Sequence, residues 1–318
     1  MFLLTPAYKQ YLWGGTTLSE RFGKDASLPL IAESWELSVH PDGPSRIASG
    51  PDCGRTLRDY LSEHPACAGG APEDPLPVLI KLIDAQKPLS VQVHPDDAYA
   101  YRNAGERGKT ELWHILEAKP GAFLYLGLNR EIARAELSRR IADGTVEEVL
   151  RRIPVQAGES YYVPAGMLHA IGAGIVLYEI QESSNQTYRV YDYGRLDAAG
   201  KPRPLHIESA LAVARLSPSD TTPPGQSDWQ AAQGAEARTI VRCPHFTLRE
   251  IALSGRTEVS ASAGDFLHLL CVSGRAQAAQ GAERLLLSRG EGLFLPAGEG
   301  VVLEGNARLI AASRGAER

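Results

Sequence analysis

LSVQVHP, residues 89–95, is the stretch on which the reading of this chain turns. Apolar Leu89, Val91 and Val93 interleave with Ser90, Gln92 and His94, and Pro95 follows at once. That alternation is the period of a half-buried strand, so Ser90, Gln92 and His94 share one face and the apolar side chains share the other. Pro95 ends the strand directly after His94, and Asp96 or Asp97 can cap a helix that starts at Ala98. A histidine at a strand end, beside a rigid turn, is easily held in the fixed geometry of a metal ligand.

Two other turns offer partners for it. GKTE, residues 108–111, ends at Glu111, and PAGMLH, residues 164–169, ends at His169 after the punctuation of Pro164 and Gly166. Two imidazole nitrogens and a carboxylate oxygen suit zinc or another borderline divalent ion, with a position left open for substrate. Each fragment alone reads as an ordinary packed or surface residue. The three together, each beside a rigid turn, read as a metal site, with Gln92 on the His94 face as a possible fourth ligand.

The chain has 318 residues and a formal net charge of -5. The length suggests two domains or one elaborate domain, with apolar content ample for a core. Net negative charge argues against nucleic acid or an anionic membrane as the main partner, so an anionic ligand must be drawn by local cations. Cys53, Cys67, Cys243 and Cys271 are widely separated and form no CxxC pair, which argues against a disulfide framework or a thiolate zinc site. The start, Met1 to Leu4 followed by Thr5 and Pro6, lacks a basic region and a long apolar run. The expectation is a cytoplasmic protein, monomeric or weakly self-associating.

Short apolar runs dominate, at 78–82, 122–126, 160–163 and 175–180, broken by glycine and proline, which is the pattern of a β-sandwich or barrel. Helical signals fall at 56–63, 98–104, 129–142, 145–152 and 206–216, with Thr145 and Glu148 spaced as a capping box. The amphipathic stretch 129–152 reads as a helical insertion packed on the sheet. Proline, glycine, serine and threonine mark 217–234 as a linker, dividing a domain at 1–216 from a second, smaller β-domain at 235–318. Strands are expected there at 265–272, 284–287 and 292–295. Gly158, Glu159 and Pro164, Ala165, Gly166 recur in the same spacing as Gly290, Glu291 and Pro296, Ala297, Gly298. The second copy continues Glu299, Gly300, Val301 with no imidazole in register, so it is expected to bind no metal.

These segments resemble the type I phosphomannose isomerases, zinc-dependent enzymes of the cupin fold, and most closely their short bacterial form. The resemblance rests on YLWGG (11–15), IAESWELS (31–38), KPLSVQVHPDD (87–97), GKTELW (108–113), PAGMLHAIG (164–172) and YEIQESSNQTYRVYDYGR (178–195). It implies cupin-type (jelly-roll) β-barrels and one zinc ion per chain held by His94, Glu111 and His169, with Gln92 a fourth ligand or a hydrogen-bonding neighbour of one. It also implies interconversion of mannose 6-phosphate and fructose 6-phosphate, with Arg189 as the catalytic arginine, Lys109 as the lysine of the Lys-x-Glu turn, and Glu179 as a carboxylate in the pocket.

The difficult part of that reaction is the negative charge that develops on oxygen as a proton moves between C1 and C2. Arg189 suits it because a guanidinium stays charged and presents a planar fork; its alternative is a surface ion pair with Asp192 or Glu179. Glu179 is the first candidate for proton carrier, ahead of Lys109 and His94. Ser90, with Arg189 or Lys109, would clamp the phosphate. The chain lacks the lysine that follows the arginine in longer members, which leaves phosphate binding to other groups. Trp13, Glu33, Trp35, His40 and His114 read as structural, and His64, His206, His245 and His268 lie outside every matching segment. The rival readings are an iron-dependent cupin dioxygenase, which would consume oxygen, and a non-enzymatic sugar-binding or regulatory cupin, which would bind without turnover.

Overall fold

The computed structural model describes residues 1–70, 75–196 and 200–315. Its contacts divide the chain into two compact units: Met1–Lys9, Thr16–Leu82 and Pro223–Arg318 form the first, and Gln10–Gly15 with Ile83–Thr222 the second. This division differs from a single break at a linker, because the amino-terminal segment groups with the carboxy-terminal strands. Backbone pairing is the reason: Phe2, Leu3 and Leu4 pair with Phe294, Leu293 and Gly292, close to three hundred residues away.

The amino-terminal part supplies β1 (Phe2–Thr5), β2 (Ala7–Lys9), helix α1 (Thr17–Phe22), β3 (Glu33–Leu37), β4 (Arg46–Ile47) and α2 (Leu57–Glu63). Strand β5 (Val78–Ala85) leads into the second unit. That unit holds β6 (Val91–Val93), α3 (Asp97–Ala104), β7 (Glu111–Ala118), β8 (Phe123–Leu128), α4 (Arg134–Ala142), β9 (Leu150–Pro154), β10 (Ser160–Val163), β11 (His169–Ile171), β12 (Ile175–Glu182), β13 (Tyr188–Tyr191) and α5 (Ile207–Val213). The chain returns to the first unit with β14 (Gln230–Ala232), β15 (Ala235–Arg242), β16 (Phe246–Leu253), β17 (Arg256–Ser260), β18 (Leu267–Gln280), β19 (Glu283–Ser288), β20 (Gly292–Leu295) and β21 (Gly300–Arg314).

In the first unit one antiparallel sheet runs β14-β15-β16-β21-β18-β20-β1-β4, with β17 on β21 and β19 on β18. Leu269, Cys271, Leu287, Leu293, Leu295, Leu303 and Leu309 fill one side of it. In the second unit one sheet has the order β13-β6-β11-β8-β9, and β10, β7 and β12 are successive neighbours in another. Val91 and Val93 of β6 turn toward Leu137 and Ile141 of α4, Ala210 of α5, and Val146 and Val149. Helices therefore cover the outer side of that sheet, and the alternating residues Ser90, Gln92 and His94 face the other way.

The helical insertion is shorter than its sequence pattern. Only 134–142 is α-helix; Val146–Val149 is a 3-10 turn, and 150–152 belong to β9. Thr145 makes no side-chain cap, so the capping box does not form, because the β-branched Ile153 and its neighbours pair with β8 instead. The helices at 56–63 and 98–104 do form, capped by the side chains of Thr56 and Asp96.

One group of the first unit sits in an unfavourable place. Both ring nitrogens of His268 on β18 are buried without a hydrogen-bond partner among the described residues. Burial, and then the charge of Lys24, pushes its pKa down from 6.5 to about 3. As pH falls from 6.5 toward 3 the unfolded chain gains a proton that the folded imidazole refuses, so stability present above that window is lost within it. Leu in place of His268 should stabilise the fold by about 1–2 kcal/mol at neutral pH, since an unsatisfied buried polar group is removed. Urea unfolding at pH 7 and pH 4.5 should show the variant gaining more at the lower value.

Candidate metal centre and its surroundings

Three segments meet at the end of β6. Gly166 N–H donates to the His94 carbonyl (2.8 Å) and Lys109 N–H to the Pro95 carbonyl (3.0 Å), tying both ligand-bearing turns to the strand end. Gly108 N–H donates to Asp97 (2.8 Å), and a Cβ at residue 108 would stand 2.5 Å from the backbone of residues 96 and 97. Gly166 has φ +85, a left-handed conformation that an L side chain rarely adopts. Glycine is required at both turns, and this is what lets Glu111 and His169 follow them into register.

Within the sheets, pairing decides which side chains meet. His169 on β11 stands opposite Gln92 on β6, and Arg189 on β13 stands opposite Gln92 from the other side. Directly paired residues point to the same face, so His169, Gln92 and Arg189 form one row. On the other sheet Glu111 pairs with Gln181, and Trp113 pairs with Glu179. The Trp113 ring meets His169 edge-on with centroids 5.3 Å apart, so the two rows face each other.

His94, Glu111 and His169 are 1%, 0% and 1% exposed, and their ligand atoms lie within 4.8 Å of one another. His169 Nε2 is 3.3 Å from Glu111 Oε1, and His94 Nε2 is 3.7 Å from Glu111 Oε2. Tetrahedral ligands at about 2.0–2.1 Å from zinc stand about 3.3 Å from each other, so these spacings fit such an ion. Each imidazole uses Nδ1 as a donor to a backbone carbonyl, His94 to Gln186 (2.7 Å) and His169 to Met167 (2.8 Å). A carbonyl only accepts, so both rings keep the tautomer whose Nε2 lone pair faces the carboxylate. Burial, followed by the charge of Lys109, pushes the His169 pKa down to about 3, which leaves it neutral and able to ligate. The Lys109 ammonium donates to Glu111 Oε2 and lies 3.0 Å from His94 Nε2, so a cation already sits among these donors.

The other residues expected at the site lie around this cluster. The Gln92 amide nitrogen is 3.4 Å from His169 Nε2. Glu179 is buried and accepts a hydrogen bond from Trp113 Nε1 (2.8 Å). Arg189 donates from Nε to Ser90 Oγ (3.2 Å) and from Nη1 to the Pro204 carbonyl (2.9 Å). The ion pair once conceivable for Arg189 is taken by others: Asp192 holds Arg195 and Arg203. His114 points away from Glu111 and pairs with Ser160 Oγ (2.8 Å). Sequence reasoning passed over Trp113 and His206 as site elements. His206 Nδ1 accepts from the Arg189 backbone N–H (3.2 Å), and the His206 backbone N–H donates to the Arg189 carbonyl (2.8 Å), which fixes the end of β13. A histidine seventeen residues downstream carries no local signal of that contact.

A β-sandwich unit with a buried two-histidine, one-carboxylate cluster defines a metal-binding cupin. The family models agree: the catalytic domain of type I phosphomannose isomerase matches residues 1–114, and the mannose-6-phosphate isomerase cupin domain matches 236–313. The mannose-6-phosphate isomerase of Streptococcus mutans is 38% identical over 297 residues, 93% of this chain and 92% of that one. The crystal structure of the Bacillus subtilis mannose 6-phosphate isomerase superposes with a TM-score of 0.92 at 37% identity, covering 98% of each chain. A zinc-bound mannose 6-phosphate isomerase shares the fold at 20% identity, with a TM-score of 0.78 over 99% of each chain. The chain belongs to the type I phosphomannose isomerase family, whose members are aldose–ketose isomerases. No helix among the described residues is long and apolar enough to cross a membrane.

Replacing His169 with Ala should weaken zinc binding by more than about 100-fold, since changes to groups that merely orient a ligand already cost about 10–100-fold. Competition against a chromophoric chelator measures this, and an unchanged affinity would remove His169 from the ligand set.

Proposed function

We propose that the protein is a zinc-dependent isomerase that interconverts D-mannose 6-phosphate and D-fructose 6-phosphate by proton transfer between C1 and C2, using one zinc ion per chain. The observation that carries this reading is the convergence of His94, Glu111 and His169 in one buried cluster, with Arg189 in register beside Gln92. His94, Glu111 and His169 would hold the ion, and Gln92 would hydrogen-bond to one of these ligands or join them. When bound, the ion supplies Lewis-acid polarisation of the substrate oxygens at C1 and C2.

The chain's own residues do the rest. Arg189 stays protonated although burial and the neighbouring Arg203 lower its pKa, and it is held rigid by Ser90 and Pro204. A fixed guanidinium stabilises the negative charge that builds on oxygen in the enediolate. Glu179 takes the proton from one carbon and returns it to the next, and Trp113 Nε1 orients its carboxylate. Lys109, freed from Glu111, is within reach of the same oxygens. Ser90 lies on the substrate-facing side at the far end of the row from His94, where its hydroxyl contacts the phosphate.

Fructose 6-phosphate formation from mannose 6-phosphate should vanish on chelation and return with added zinc; turnover that survives complete chelation would refute the metal requirement. Arg189→Ala should lower kcat about 100- to 1000-fold while zinc affinity stays within a few-fold of the parent, as removal of a charge-stabilising donor does. Glu179→Gln should keep the Trp113 contact and the zinc content but lower kcat by about 100-fold or more. A Glu179→Gln enzyme at the parental rate would shift the proton carrier to Lys109.

A further inference from the structure

The turn that carries Lys109 is gripped at three successive backbone amides. Gly108 N–H donates to Asp97 Oδ1 (2.8 Å), Lys109 N–H to the Pro95 carbonyl (3.0 Å) and Thr110 N–H to Glu182 Oε2 (2.7 Å). The Glu182 backbone N–H returns a bond to the Thr110 carbonyl (3.1 Å), so Glu182 holds both backbone polar groups of Thr110. Glu182 is itself fixed: it is buried, it closes β12, and its carbonyl accepts from Gln181 Nε2 (2.8 Å) and from Ser184 N–H (2.7 Å). A buried carboxylate with its own backbone locked is a rigid anchor for the turn it holds.

The two charged residues of this turn depend on that anchor to different degrees. Glu111 opens β7 and pairs with Val163 of β10 on one side and Gln181 of β12 on the other, so the sheet fixes it. Lys109 precedes the strand and has no ladder partner among the described residues, so its backbone is set by the grips at Gly108, Lys109 and Thr110. Its ammonium is 4% exposed, donates to Glu111 Oε2 and lies 3.0 Å from His94 Nε2. A lysine stem is flexible, so a buried ammonium keeps one place only where the backbone beneath it does not move.

We infer that Glu182 is a positioning residue for the isomerisation: by holding Thr110 it sets where the Lys109 ammonium meets the substrate oxygens. This rests on the isomerase reading above, in which Lys109 lies within reach of those oxygens. Asp97 is the second grip on the same turn, at Gly108. Charge on the substrate oxygens builds up only as the proton moves, so a misplaced ammonium is felt in kcat more than in KM.

The test compares Glu182→Gln with Glu182→Met in the zinc-loaded protein. Both are uncharged and of similar length, and only Gln keeps an oxygen that can accept from Thr110 N–H. On mannose 6-phosphate, Gln should stay within about 3-fold of the parental kcat and Met should fall about 10- to 100-fold below it, the scale of a small misplacement of a reacting group, with KM nearly unchanged. In a Lys109→Met background the two variants should have equal kcat, because the group being positioned is gone. Reductive methylation read by mass spectrometry should label Lys109 at least about 10-fold faster in Met than in Gln, as loss of a buried hydrogen bond loosens the turn. Lys24 and Lys81, buried in the other unit, should label as in the parent. Asp97→Asn against Asp97→Ala repeats the comparison at Gly108 and decides the case if Glu182→Met does not fold. With an active parent, equal kcat in Gln and Met would overturn the inference and leave the isomerase reading intact. So would a loss in Met that persists in full without Lys109, or labelling of Lys24 and Lys81 that rises along with that of Lys109. A parent that fails to convert mannose 6-phosphate, while Lys109 labelling still separates Met from Gln, would refute the isomerase reading and leave the grip on the turn standing.

Discussion

A carboxylate from one sheet and two imidazoles from the sheet facing it share a single position inside the second unit, and they can be buried together only because a positive charge belongs among them. Glu111 is fully buried, and an ionised carboxylate in such a place is costly unless paired. The two histidines cannot supply that charge, since each keeps its Nδ1 proton on a backbone carbonyl and offers only a lone pair. The cation has to come from Lys109 or from a metal, and both compete for the same oxygens. The turns around Gly108 and Gly166 exist to bring these three donors within reach, and the helices over Val91 and Val93 hold the strand that carries the first of them.

Strand β6 joins this metal end to the substrate end. Its inward residues run Ser90, Gln92, His94, and its neighbours β11 and β13 place His169 and Arg189 on either side of Gln92. One short strand therefore orders the groups along a line, with His94 at one end, Gln92 between His169 and Arg189, and Ser90 at the other. Because the side-chain period is two, a one-residue slip would turn the whole set outward and Val91 and Val93 inward, so the apolar packing under α4 also enforces the register of the chemistry. The same device explains why Arg189 is committed to the site: β13 ends against His206, and the carboxylate that might have drawn its guanidinium away, Asp192, is occupied.

Much of the fold was legible in the chain because its strands carry strong local signals. The runs at 160–163 and 292–295 coincide with β10 and β20, and the caps at Thr56 and Asp96 open their helices where expected. The stretch 145–152 misled because its helical spacing is real but short, and strand pairing with β8 outweighed it. The grouping of residues 1–9 and 16–82 with the carboxy-terminal sheet had no local signature at all, since it depends on a pairing between β1 and β20 that only the folded chain makes.

The sequence by itself determined the ligand types, the alternation that puts Gln92 with His94, and the turns that end at Glu111 and His169, because strand period, proline and glycine act over a few residues. Only the tertiary structure decided that Trp113 supports Glu179, that His206 closes on Arg189, and that Arg195 and Arg203 gather on Asp192 beside Ser90. Those contacts join residues whose separation along the chain says nothing of their distance in space, and cross-strand register, which sets them, is a property of the paired sheet rather than of any one segment.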